Sequence, residues 1–255
     1  MRQLVSIAVA TFREAVRNKI LYSILFFAVA LIALSIALGS ASLNQDVPVI
    51  TSIGLTAIHF FSDLIAIFIG VTMVFQELER KTIYNVLSKP VSRHSYFFGK
   101  FAGMALTLLV QLAIMSAVLA AVLAVGGGEV DARYLAAVLL TWVESLVVLS
   151  FALFFSSFST PYVSGFLALG VWLVGGLTQN LTLYIPSIED ASARQLARSV
   201  VAVLPDFSLF DLTTQLMYAY PVTLGYVAQT VVYGASLGGV FLVAGAEIFR
   251  RRDFI

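Results

Sequence analysis

Apolar positions along the chain fall into six runs, each long enough to cross the roughly 30 Å hydrocarbon core of a bilayer as a helix. They are Ile20–Gly39, Gly54–Phe75, Phe97–Val125, Tyr134–Phe158, Tyr162–Ile185 and Leu224–Phe249. The third is longer than an upright crossing needs, which predicts tilt or projection past the bilayer. Ser159-Thr160-Pro161 leaves only a tight link between the fourth and fifth. Ahead of the first run, helical period puts Leu4, Val5, Ala8, Val9, Phe12 and Val16 on one face, with Ser6, Arg13 and Arg17 opposite. That pattern predicts an amphipathic helix over residues 1–19 lying in the membrane interface. Its apolar part is short, and Arg13, Arg17, Lys19 and a longer apolar run follow, so it does not read as a cleavable signal. The expected fold is an all-α integral membrane protein, a single transmembrane domain over 1–255 with six spans.

Two polar interruptions stand out. The first, Gln76 to Lys100, opens with Glu77, Glu79, Arg80 and Lys81 and then spaces Ile83, Val86 and Leu87 as one apolar helical stripe. Pro90 ends that stripe, because proline lacks an N–H and disfavours helical geometry in the residue before it. Ser92 is placed to cap the helix that follows. Residues 76–96 therefore predict a short surface helix held between the second and third spans. The second interruption is 186–223. Ser187 and Asp190 resemble a capping box for a helix over Ala191–Leu204, which Pro205 ends. The PDFSLFDLTTQLMYAYP that follows is too apolar for a solvated loop, and predicts a segment lying on or dipping into the outer leaflet. Tyr218, Tyr220 and Tyr226 are expected there at headgroup level.

Composition agrees. The 255 residues are 60% hydrophobic and 11% charged, against about 25% charged in soluble domains. Mean hydropathy is +0.97. There is no cysteine, which removes thiolate and disulfide chemistry. No G-x-x-x-x-G-K-[ST] loop is present, so the chain is not expected to power itself with ATP. A net charge of +1 gives no reason to expect nucleic acid. Placing both termini on one side puts twelve Lys and Arg there, including those of 76–100, against Arg133, Arg194 and Arg198 opposite. Basic residues favour the cytoplasmic side. Both termini and the 76–100 stretch are thus expected in the cytoplasm, with the protein in the inner membrane of a prokaryote.

Ionisable side chains inside spans are expensive and mark candidate sites. His59 and Asp63 are one helical turn apart in the second span, and Glu144 lies near the middle of the fourth beside Thr141 and Ser145. They are candidates for a substrate pathway or a proton relay, or for polar contacts that hold the bundle together. Glu247 is expected to pair with Arg250 and Arg251. Gln111, Gln179, Asn180 and Gln229 are expected as hydrogen-bond partners between helices. Gly99 with Gly103, and Gly234 with Gly238, have the spacing of close helix approach. No metal is expected, since one span histidine leaves too few ligands.

The chain resembles permease subunits of the type-2 ATP-binding-cassette (ABC) exporters over nearly its whole length. The likeness is carried by the initial amphipathic helix ending REAVRNK, the loop ELERKTIYNVLSKPVSRHSYFFGK, the outer LPDFSLFD and the terminal FRRRDF. In that family the loop is a coupling helix that fits a groove on a separate ATPase. By resemblance, Glu77, Glu79, Lys81, Thr82, Leu87, Ser88, Pro90 and Arg93 would make the ATPase contact. Lys81 and Ile83 stand where the family pattern has glycine and leucine. The resemblance also implies two permease copies, two cytoplasmic ATPases holding ATP and Mg, and alternating access along the permease interface. Two other readings use the buried acids. One is a proton-coupled carrier or channel working through His59, Asp63 and Glu144. The other is an intramembrane enzyme whose carboxylate pair, Asp63 and Glu144, would have to lie close together.

Overall fold

The computed structural model describes residues 2–40, 46–79, 92–187 and 189–251, and these are helical with no strand among them. The helices are α1 (Arg2–Val16), α2 (Lys19–Ser40), α3 (Asp46–Glu79), α4 (Arg93–Val125), α5 (Ala132–Ser156), α6 (Pro161–Gly176), α7 (Thr178–Tyr184), α8 (Ala191–Val203), α9 (Thr213–Met217) and α10 (Leu224–Arg251). Five of them, α2, α3, α4, α5 and α10, are continuous, long and apolar enough to cross a membrane. Two bent pairs, α6 with α7 and the stretch Ala191–Met217, raise the count to as many as seven.

The middle of the bundle is α5, packed most extensively against α10 on one side and α3 on the other. Its start is fixed by Asp131, whose carboxylate accepts from the backbone N–H groups of Arg133 and Tyr134. Burial works against ionisation of that carboxyl. The Arg133 side chain and the two N–H bonds outweigh it and hold the acid below its ordinary range. Against α10, close approach depends on Gly234, where a β-carbon would lie 2.6 Å from Val143 Cγ1 and 3.0 Å from the Phe210 ring. Gly238 faces Val147 and Ser150 one turn on. The expected glycine seam is therefore the α5–α10 contact.

The other glycine pair seats α1. A β-carbon on Gly99 would meet Ile7 at 2.9 Å, and one on Gly103 would meet Thr11 at 2.6 Å. The buried face of α1 thus runs through Ile7, Ala8, Thr11 and Ala15 against α4. Val5, Val9 and Val16, on the apolar face the sequence places toward the membrane, are exposed. Two apolar stripes are present, and the one selected is the one with small residues that let α4 come close.

The fifth apolar run is bent by 48° between α6 and α7. Two glycines, Gly175 and Gly176, precede the bend and weaken the helix there. Phe207 fills the space beside Gly175, where a β-carbon would collide with its ring. The Phe207 segment is the larger departure from expectation. Phe207, Phe210 and Leu212 are buried in the bundle, so the apolar character read as outer-leaflet contact is used inside the protein. Phe207 packs edge-on against Phe151, and Phe210 lies 6.2 Å from the ring of Tyr233. Tyr226 donates to Leu209 O at 2.6 Å, and Tyr218 and Tyr220 are exposed. The cap of α8 is Asp190, which accepts from Ser192 and Ala193 N–H; Ser187 belongs to a preceding 3-10 turn.

A substitution pair checks the α5–α10 seam. Gly234→Val is expected to cost about 1–3 kcal/mol by overpacking. Gly239→Ala, on the same helix with nothing within 4 Å of its β-carbon, is expected not to lower the midpoint. Thermal unfolding of the purified protein in detergent measures both.

Candidate functional site

Three of the buried polar groups singled out in the sequence meet between α3 and α5. His59 and Asp63 project from one face of α3, separated by one turn, as their spacing requires. On the facing side of α5, Thr141, Glu144 and Ser145 form a matching polar patch. The pairings run between helices: His59 does not bond to Asp63. His59 Nδ1 lies 3.0 Å from Glu144 Oε2, and its Nε2 lies 2.9 Å from Thr141 Oγ1. Asp63 Oδ1 accepts from Ser145 Oγ at 2.9 Å, and its Oδ2 accepts from the indole of Trp172 on α6 at 2.8 Å. Asp63 has no solvent exposure, and Glu144 has 5%.

The protons here are constrained by counting. Thr141 Oγ1 is also 2.9 Å from the Ala137 carbonyl, yet a hydroxyl has one hydrogen to give. If it donates to Ala137, His59 Nε2 must carry a hydrogen and donate to Thr141. If it donates to His59, the ring hydrogen sits on Nδ1 and points at Glu144. Both arrangements keep one proton in the His59–Glu144 contact. That proton gives buried Glu144 a hydrogen-bond partner in either arrangement.

This cluster forms one wall of a cavity of about 810 Å³. Asp211, between the 3-10 turn at Phe207–Phe210 and α9, is part of the lining, with its Oδ1 3.9 Å from His59 Nε2. Trp172 and Asp211 were not among the sequence candidates. A lone tryptophan in an apolar run gives no signal of its partner, and Asp211 sat in a stretch read as facing lipid. Of the amides expected between helices, Gln179 and Asn180 line this cavity. Gln229 is exposed on α10. Gln111 is buried, and its Oε1 has no hydrogen-bond partner among the described residues.

The candidate coupling residues lie elsewhere. Glu77 and Glu79 close α3; Lys81, Thr82, Leu87, Ser88 and Pro90 lie outside the described residues. Arg93 opens α4 and its Nη1 donates to Arg250 O at 2.7 Å, tying the start of α4 to the end of α10. Ser92 caps α4 as expected, accepting from Ser95 N–H. Beside it, Glu247 accepts from Arg250 at 2.5 Å and Arg251 at 2.8 Å, the pairing expected from the sequence.

The Asp63 contacts predict an asymmetry between two tryptophans. Trp172→Phe leaves a fully buried carboxylate oxygen without its donor and is expected to destabilise by about 1–3 kcal/mol. Trp142→Phe removes only a long 3.4 Å bond to Ala105 O and is expected to cost less. Unfolding midpoints of the two variants in the same detergent measure the difference.

No match is found among curated proteins. A family model described as ABC-2 family transporter protein matches residues 5–254, spanning every helix from α1 to α10. With its apolar spanning helices, this chain therefore belongs to the ABC-2 transporter family and is a multi-pass membrane permease of that class.

Proposed function

We propose that the chain is the membrane subunit of an ATP-driven exporter, moved by a separate cytoplasmic ATPase acting near residues 76–96. The observation that carries this reading is the length of the two helices bordering that stretch. α3 has 34 residues and α4 has 33, the two longest of the described helices. At about 1.5 Å per residue each is about 50 Å long, well beyond a hydrocarbon core of roughly 30 Å. Two helices that overrun the membrane on either side of one short connection make a lever. A push on that connection tilts both, and the bond from Arg93 to Arg250 O passes the displacement to α10. Rigid-body tilting of this kind is a standard route to alternating access.

Six crossings follow if the bent α6–α7 pair spans and Ala191–Met217 does not. The latter is the more polar, with Arg194 and Arg198 on α8 and buried side chains that face the bundle. An even count keeps both termini on the Lys- and Arg-rich side, which is cytoplasmic in an inner membrane. In that setting α1 lies along the cytoplasmic interface with Val5, Val9 and Val16 toward lipid. Two permease copies and two ATPases would complete the working unit, with ATP and Mg held by the ATPase subunits. Glu77, Glu79, Lys81, Thr82, Leu87, Ser88, Pro90 and Arg93 are the proposed contact positions. His59, Asp63 and Glu144 are the proposed polar wall of the substrate path.

One observation favours a second reading. The proton held between His59 and Glu144, beside Asp63, is what a proton-coupled carrier requires. That reading predicts transport by the chain alone, driven by a pH gradient and lost in Asp63→Asn.

Purification in mild detergent separates the two. The wild-type chain is expected to bring down a soluble ATPase carrying a phosphate-binding loop. Glu79→Arg combined with Arg80→Glu is expected to weaken that association by about tenfold or more, since reversed charges at a contact are repulsive. Transport by the purified chain alone in liposomes would overturn the exporter reading.

A further inference from the structure

The cavity between α3, α5, α6–α7 and the 207–226 segment has two unlike walls. One carries Asp63, Glu144 and Asp211 with His59, and no Lys or Arg lines the cavity among the described residues. The other is aromatic and aliphatic, made by Trp172, Leu173, Leu177, Phe207, Leu209 and Tyr226. Its volume, about 810 Å³, is within the range of small-molecule sites.

The charged groups in the lining are acceptors, beside the amides of Gln179 and Asn180. Asp63 is satisfied by Ser145 and Trp172, and Glu144 Oε2 faces His59. Asp211 accepts from Thr213 N–H at 2.8 Å, and its side chain is 55% exposed. An ionised carboxylate offers about four lone-pair positions, so Asp211 can accept more. Gln215 also lines the cavity, but its Oε1 is inaccessible, so Asp211 is the charged acceptor a ligand can reach. The accessible Asp211 carboxylate, with no Lys or Arg in the lining among the described residues, favours positive charge. The aromatic wall favours an apolar body and also attracts a cation lying over its rings. A quaternary ammonium has the charge without the donor, and a neutral alcohol has the donor without the charge.

We propose that this cavity binds a protonated amine carried on an apolar body, with the ammonium at Asp211 and the body against Trp172, Phe207 and Tyr226. Such an ammonium belongs either to a soluble amine or to the headgroup of an aminophospholipid. Identifying the bound species as cargo rests on the permease reading above; binding itself does not require the ATPase.

Titration calorimetry on the permease alone tests this, so loss of ATPase association and loss of amine binding are read separately. The probe is phenethylamine, added to protein in nanodiscs of phosphatidylglycerol, with empty nanodiscs as the blank. Saturable binding is expected, with phenethyl alcohol and phenylacetate each weaker by about tenfold or more, as expected when one carries no charge and the other the wrong one. Asp211→Asn is expected to weaken the amine by about fivefold or more, in line with loss of a charged hydrogen-bond partner. Glu144→Gln weakens it as well; because Glu144 also holds the bundle together, Asp211→Asn decides the matter should that variant fail to fold. Adding phosphatidylethanolamine to the nanodiscs distinguishes the two sources. A fall in apparent amine affinity identifies the lipid headgroup as an occupant, and no change identifies a soluble amine. Equal binding of the alcohol or the anion, or no effect of Asp211→Asn, would overturn the proposal.

Discussion

A carboxylate placed among apolar helices must find donors inside the protein, because hydrocarbon offers none. The arrangement of α3 against α5 answers that demand. Asp63 and Glu144 are nearly inaccessible, and each is held by a partner on another helix. Such contacts are directional, whereas apolar packing alone permits sliding. A one-residue slip of α3 along α5 would separate His59 from Glu144 and Asp63 from Ser145 together. The polar pairs thus fix the register, and α6 is brought into the same lock through the Trp172 indole.

With α5 held on that side, its opposite face is free to approach α10 closely through Gly234 and Gly238. The space left at one end of the bundle is closed by Phe207, Phe210 and Leu212 from the connecting segment. The bend between α6 and α7 belongs to the same arrangement, since Phe207 occupies the position beside Gly175. The segment that fills the bundle also carries Asp211 to within 3.9 Å of His59. One insertion therefore makes both a hydrophobic plug and part of the cavity lining.

Polar ties at the far end of α4 serve a different purpose. Lys100 is buried, 3.7 Å from Glu14 of α1 and 6.0 Å from the ring centre of Tyr96. Arg93 reaches the last turn of α10, and Tyr96 stacks on Phe249. The first turns of α4 are consequently joined to both α1 and α10 by contacts short in space and long in sequence.

The sequence alone determined the all-helical membrane class, the positions of the apolar runs, the Ser92 and Glu247 contacts and the polar character of His59, Asp63 and Glu144. These depend on period, length and neighbours within one turn, which a linear pattern records directly. It also pointed to both glycine pairs, although not to their partners. Tertiary structure alone decided which α1 stripe is buried, that the 207–212 segment packs inward, and that Trp172 and Asp211 join the site. Asp63 meets Ser145 across 82 positions and Trp172 across 109. An apolar residue looks the same in sequence whether it is covered by lipid or by protein, so only packing could assign these neighbours.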